Sequence, residues 1–130
     1  MMTPISTQNN IIVTTGMFDL LKVQIVRKKL SLENEIRIAT ELKNAQQVLR
    51  KDLPASVVDV YKEVTVTDVD LQHAKTYRFV PPNLARTKHG TLSILSDMGV
   101  ALVGYAKGAT IIWGTDEGAK TFRIDQVTDI

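Results

Sequence analysis

The chain has 130 residues, 44% hydrophobic and 23% charged, a composition that fits one folded soluble domain or a small domain with a helical appendage. It contains no cysteine, which excludes disulfides and cysteine-based metal or nucleophile chemistry and predicts a reducing, cytoplasmic location. The net charge is only +2, with eight basic and five acidic residues in positions 1–53, too weak a bias to predict nucleic-acid binding by itself.

The first half of the chain predicts two short helices. Thr14 or Thr15 can cap a helix that begins near Gly16, after which apolar residues recur at three- and four-residue spacing. Ser31 can cap the second helix. Its apolar face consists of Ile38, Leu42, Ala45 and Leu49. Because each helix has one apolar stripe to bury, we expect an antiparallel helical hairpin, a short coiled coil, that spans residues 1–53.

After Pro54, which disfavours helical geometry in the residue before it, the pattern changes to the alternation of β-strands. The first strand is predicted from Ser56 to Asp68, with Lys62 interrupting its apolar face and marking a strand end or a bulge. That face consists of Val58, Val60, Val64 and Val66. Further strands are predicted at 75–80, 91–95, 109–113 and 121–127, the last two joined as a hairpin.

One short helix interrupts this run of strands. Ser96 and Asp97 offer a cap, an apolar cluster follows through Val103, and Gly104 ends it. The predicted fold class is therefore α+β. A helical hairpin over residues 1–53 is followed by a mostly antiparallel β-domain over 54–130 that contains one short helix.

No group of residues predicts a catalytic centre. The two histidines, His73 and His89, are not at metal-ligand spacing from each other, and there is no glycine-rich phosphate loop. We therefore expect neither an enzyme nor a bound metal or other cofactor.

Charged residues near the predicted bend between the helices have two interpretations each. Glu33 and Glu35 either interact favourably with the positive N-terminal end of the second helix or help to bind a metal ion that is held elsewhere. Arg27, Lys28 and Lys29 form a basic face that is either a solvated helix surface or a source of phosphate contacts.

Three stretches of the sequence resemble the bacterial Gre transcript-cleavage factors and their relative Rnk. They match the end of the family's second helix with its linker, the first strand and turn of its C-terminal domain, and a strand that leads through a serine-containing corner into a short helix. The stretches are 42–46 with 52–54, 64–70, and 92–96 with 99–104. The resemblance is good over 42–130 and weak over 14–41.

The resemblance implies an FKBP-like β-domain that docks on RNA polymerase beside the opening of its secondary channel, with the helical pair pointing inward. The polymerase contact of the family maps onto Leu95, Ser96 and Asp97, where Asp97 replaces a common proline. RNA polymerase is the implied partner, with nascent RNA contacted only indirectly and no small-molecule substrate. No apolar run approaches membrane-spanning length, so we expect no membrane partner.

The helical pair departs from the Gre pattern at its tip. Gre factors have a long hairpin whose acidic pair holds a catalytic magnesium ion, whereas predicted arms of roughly fifteen residues reach only about 20–25 Å. Leu30 stands where the leading aspartate of the acidic stretch would be. The short arm resembles Rnk, which implies a polymerase-binding regulator that does not stimulate transcript cleavage.

Three alternative functions remain open from the sequence. The first is a true Gre factor that stimulates cleavage of backtracked transcripts. The second is a peptidyl-prolyl isomerase of the FKBP fold, which requires a pocket lined by convergent aromatic side chains. The third is direct nucleic-acid binding, for which the charge signal is weak.

Overall fold

A computed structural model of the protein describes residues 11–28, 32–86, 90–115 and 118–130. Two helices lie between two short parallel strands: β1 (Ile12–Thr14), α1 (Thr15–Val26), α2 (Leu32–Lys43) and β2 (Gln46–Val48). The rest of the chain forms β3 (Lys62–Asp68), β4 (His73–Val80), β5 (Thr91–Ser93), α3 (Asp97–Leu102), β6 (Thr110–Thr115) and β7 (Gly118–Asp129). The five later strands form a sheet in the order β5-β4-β3-β7-β6, antiparallel except for the β4–β5 pair. The predicted α+β class is confirmed.

The first helix starts where the sequence predicted. Thr14 caps α1, since its Oγ1 accepts a hydrogen bond from the Met17 amide at 3.1 Å. The predicted cap of α2, Ser31, lies outside the described residues.

The predicted apolar face of the second helix is too long. Because α2 ends at Lys43, Ala45 and Leu49 lie beyond it. The chain leaves the helix to pair with β1, and the Gln46 amide donates to the Ile11 carbonyl at 2.9 Å. This contact between distant segments overrides the local helix preference of residues 45–49, because helix propensity is a weak determinant compared with tertiary contacts.

The first strand of the sheet begins at Lys62, six residues later than predicted. Tyr61 has a φ of +64°, a left-handed conformation that is incompatible with a strand. The predicted strand end at Lys62 is thus confirmed, and Val64 and Val66 are buried as predicted. The other strands lie near their predicted positions, and β6 and β7 pair as the predicted hairpin.

One hydrophobic core joins the helical pair to the sheet. It combines residues from both halves of the chain, each at most 2% exposed, among them Ile11, Val13, Leu21, Ile38, Val64, Phe79, Ile94 and Ile124. The helical pair therefore packs against the β-domain through buried residues such as Leu21 and Ile38. The predicted division of the chain into two domains at residue 53 stays a prediction. In the described segments, no helix is long and apolar enough to cross a membrane.

The segment of β1 contacts the β-domain at Gly104. The Ile12 amide donates to the Gly104 carbonyl, and the Gly104 amide donates to the Val58 carbonyl, both at 3.0 Å. Gly104 has a φ of +88°, and an added Cβ would lie 2.7 Å from the Ile11 Cβ. A glycine is therefore needed here for both its backbone conformation and its lack of a side chain.

Candidate functional site

The corner between β5 and α3 is fixed by local hydrogen bonds. Ser96 caps α3, because its Oγ accepts from the Gly99 amide at 3.2 Å. The Ser93 Oγ accepts from the Leu95 amide at 3.0 Å, and the Ser96 amide donates to the Ser93 carbonyl at 2.9 Å. The short helix predicted at the Ser-Asp sequence is confirmed. The Ser96 cap fixes where its first turn begins.

Gly99 is a determinant of this corner that the sequence patterns did not single out. A Cβ at this position would lie 2.2 Å from the carbonyl oxygen of Ile94 and 2.6 Å from its carbonyl carbon. Only glycine therefore lets α3 pack directly on the chain that enters the corner. The three residues that follow Gly99 are buried in the core: Val100, Ala101 and Leu102.

The three residues predicted to contact polymerase have different environments. Leu95 is half-buried and packs against the core. Ser96 is half-buried, and its hydroxyl oxygen serves as the cap of α3. Asp97 is exposed in the first turn of α3. Of the three, Asp97 is the side chain most available to a partner.

The helical pair extends only a short distance beyond its contact with the β-domain. The Arg37 guanidinium lies over the Trp113 ring of β6, 5.5 Å from the ring centroid. Only residues 32–36 of α2 precede this contact, about 7 Å of helix. The whole of α1, with 12 residues, is about 18 Å long, shorter than the arm predicted from the sequence.

The surface of the pair near the bend is rich in exposed apolar side chains. Val26 is 77% exposed, Leu32 71% and Ile36 59%. Arg27 is exposed and ends α1. The arm is therefore short, and its distal surface combines apolar and basic groups.

One of the two predicted tip carboxylates is already paired. The Lys28 Nζ lies 3.4 Å from both carboxylate oxygens of Glu35, whose side chain is only 13% exposed. Lys28 is therefore an ion-pair partner across the bend and not simply part of a basic face. Lys29 and the side chain of Glu33 lie outside the described residues.

A polar link joins α2 to the β-domain. The Tyr105 hydroxyl donates a hydrogen bond to the Glu41 carboxylate, and the Arg37 Nε lies 3.5 Å from the same carboxylate oxygen. Burial raises the pKa of Glu41, although Tyr105 and Arg37 act in the opposite direction. Burial and the neighbouring Glu41 carboxylate raise the pKa of Tyr105, so its hydroxyl remains a donor.

The burial of Glu41 predicts that its contribution to the stability of the fold falls as the pH rises. Because the pKa of Glu41 is raised in the folded state, its contribution to stability is complete below the ordinary value of 4.5 and is lost as the pH rises through the folded-state pKa. We expect the natural chain to lose stability relative to Glu41→Gln as the pH rises above about 4.5, measured by urea unfolding at a series of pH values. A stability difference that does not change with pH would contradict this account of Glu41.

Comparisons with known proteins match both the β-domain and the helical pair. A family model described as transcription elongation factor, GreA/GreB, C-terminal, matches residues 53–129. The transcription elongation factor GreA of Azorhizobium caulinodans is 31% identical over 103 residues, which cover 77% of this chain and 66% of that protein. GreA of Vibrio parahaemolyticus is 36% identical over 84 residues, 56% of this chain and 54% of that protein. The matches thus span between about half and two thirds of these relatives.

Solved structures extend the similarity. A prokaryotic transcription elongation factor GreA/GreB from Nitrosomonas europaea superposes with a TM-score of 0.65 at 26% identity, covering 92% of this chain and 98% of that one. Gfh1 of Thermus aquaticus shares the fold, with a TM-score of 0.51 at 17% identity. The structural match to the Nitrosomonas protein includes most of the helical pair.

Proposed function

This chain belongs to the GreA/GreB family of transcription elongation factors, and we propose that it is a cytoplasmic regulator of transcription that binds RNA polymerase. The observation that carries the proposal is the family match over residues 53–129, which contains the whole β-domain sheet and the corner at α3. The family predicted from three short stretches of sequence is the one that this match identifies.

We propose that the corner contacts polymerase beside the opening of the secondary channel. Asp97 offers an exposed carboxylate, and Ser96 positions it by capping the helix on which it lies. Leu95 anchors the corner from beneath by packing against the core. In this proposal Asp97 contacts the partner, whereas Ser96 and Leu95 mainly position it.

We further propose that the protein does not stimulate transcript cleavage. Two features support this: the short extension of α2 beyond the Arg37–Trp113 contact, and the ion pair that engages Glu35 with Lys28. A carboxylate that is neutralised by a lysine and carried on a short arm is poorly suited to hold a metal ion in a distant active site. The regulatory role of a short-armed, Rnk-like protein fits these features.

The aromatic residues of the second half give no support to an isomerase. Phe79, Tyr105, Trp113 and Phe122 are buried in the core, and Tyr61 is 51% exposed. Among the described residues, Tyr77 and Phe122 line one cavity, but the other aromatic side chains named here lie in the core or, for Tyr61, on the surface. Two aromatic side chains do not make the aromatic-lined pocket that such an enzyme requires. Fold resemblance alone does not confer the activity.

The docking proposal predicts a loss of polymerase binding when the corner is changed. Asp97→Ala is expected to weaken binding to core RNA polymerase by about tenfold, corresponding to about 1.4 kcal/mol. Because Asp97 is exposed, the stability of the chain should change little. Binding is measured by fluorescence anisotropy of the labelled chain, and the folding of each variant is checked by urea unfolding.

Two control variants separate contact from positioning. Ser96→Thr keeps a capping hydroxyl and should retain binding, whereas Ser96→Ala removes the cap and should weaken it. Replacing Glu33 and Glu35 by glutamine should leave binding intact, since the contact is made by the corner. If Asp97→Ala binds polymerase as tightly as the natural chain, the corner is not the docking site.

A further inference from the structure

A concave site lies on the sheet between β3, β4, β7 and the first turn of α3. It forms an open-sided cavity of about 220 Å³. Its apolar wall is formed by Val66, Tyr77, Met98 and Phe122. The strand register explains this grouping, because Asp68 of the central strand pairs with His73 on one side and Phe122 on the other.

The Tyr77 ring is fixed in this wall. Phe79 stacks on the ring, with centroids 5.8 Å apart and planes inclined by 14°, and the Lys75 Nζ lies 5.2 Å from the Tyr77 centroid. Tyr77 and Lys75 both line the cavity, so the Lys75 ammonium lies beside this ring at the edge of the site. Met98 and Phe122 line the same cavity and complete its apolar wall.

His73 and three charged side chains complete the lining. Lys75 and Lys120 contribute two cations, and Asp68 contributes one carboxylate. Asp68 is held in place, because its Oδ1 accepts hydrogen bonds from the amides of Asp70 and Leu71 at 3.0 and 3.1 Å. The site therefore places two lysine ammonium groups and one carboxylate beside an apolar wall.

We propose that this cavity binds a nucleotide. Met98 and Phe122 provide an apolar surface for a planar base, and Asp68 provides an acceptor for the N–H groups of its edge. Lys75 and Lys120 provide cations for the phosphate. A nucleotide combines a planar ring, N–H donors and an anion, which are the three features that this lining complements.

Binding is tested on the full chain by amide chemical-shift titration with adenosine and uridine monophosphates. We expect saturable shifts at Val66, Asp68 and Phe122. Lys75→Gln should weaken binding by roughly fivefold, because it removes a phosphate contact. Lys107→Gln is the matched control, since it removes the same charge from an exposed turn residue outside the cavity and should leave the affinity unchanged.

Two further titrations separate the nucleotide from its parts. Adenosine without phosphate and inorganic phosphate without a base should each bind at least about fivefold more weakly than the monophosphate. The proposal is overturned if none of the nucleotides gives saturable shifts at the cavity. It is equally overturned if phosphate alone matches the nucleotide, or if Lys75→Gln and Lys107→Gln have the same effect. The test does not involve polymerase, so it is independent of the proposed transcription role.

Discussion

Replacement of Gly104 by alanine is expected to lower the free energy of unfolding by about 2–5 kcal/mol, because two costs add at this position. The residue has a φ of +88°, which an L side chain rarely adopts, and the new Cβ would lie 2.7 Å from the Ile11 Cβ and 3.0 Å from the Val13 Cγ1. Urea unfolding measures the loss. Hydrogen exchange at the Ile12 amide should also accelerate, since its acceptor is the Gly104 carbonyl.

Gly108 provides a matched control for this substitution. Its φ is +93°, but nothing lies within 4 Å of an added Cβ. Gly108→Ala should therefore show only the backbone cost, about 1–2 kcal/mol. The difference between the two variants measures the close crossing of β1 over the β-domain. Equal losses for Gly104→Ala and Gly108→Ala would show that this crossing is not tight.

Gly99→Ala is expected to destabilise the fold by about 2–3 kcal/mol and to disturb the corner that precedes α3. The added Cβ would meet the carbonyl oxygen of Ile94 at 2.2 Å, and backbone atoms cannot move aside as a flexible side chain can. Urea unfolding measures the stability. Polymerase binding should fall together with it, because Asp97 lies on the displaced turn.

A second glycine within a helix is the control. At Gly16 in α1, nothing lies within 4 Å of an added Cβ. Alanine there should be neutral or stabilise the chain by up to about 1 kcal/mol, because alanine is the better helix former. If Gly99→Ala is as stable as Gly16→Ala, α3 does not pack on Ile94 as described.

The elements that sequence reasoning located well are those set by neighbouring residues. The cap at Thr14 and the cap at Ser96 each depend on an amide three residues further along the chain, so a short stretch contains both partners. The alternation in β3 likewise identified the buried Val64 and Val66. Local hydrogen bonds and side-chain periodicity are visible in a sequence without knowledge of the fold.

The features that escaped prediction depend on residues far apart in the chain. The β1–β2 pairing joins Ile12 to Gln46 and shortens the second helix, against the local preference of the sequence. The hydrogen bond between Tyr105 and Glu41 spans 64 positions. Such contacts form only when the whole chain is folded, and no periodicity in the sequence predicts them.

The candidate site was predictable in part for the same reason. The corner was identified from its capping sequence and its resemblance to the Gre family, and Asp97 is exposed there. The ion pair between Lys28 and Glu35 was not predictable, because it depends on how the chain turns between α1 and α2. The close approach of Gly99 to Ile94 likewise depends on how α3 packs on the segment before it, which no sequence pattern predicts.

The most direct test of the central claim is a cleavage assay on backtracked transcription complexes, with this chain and a cleavage-stimulating Gre factor added separately and together. The proposed regulator should release no transcript fragments on its own. It should slow the cleavage stimulated by the Gre factor as its concentration rises, because both compete for the same polymerase surface. Fragment release by this chain alone would contradict the proposed absence of cleavage stimulation, and undiminished Gre-stimulated cleavage at saturating chain concentration would contradict docking at that surface.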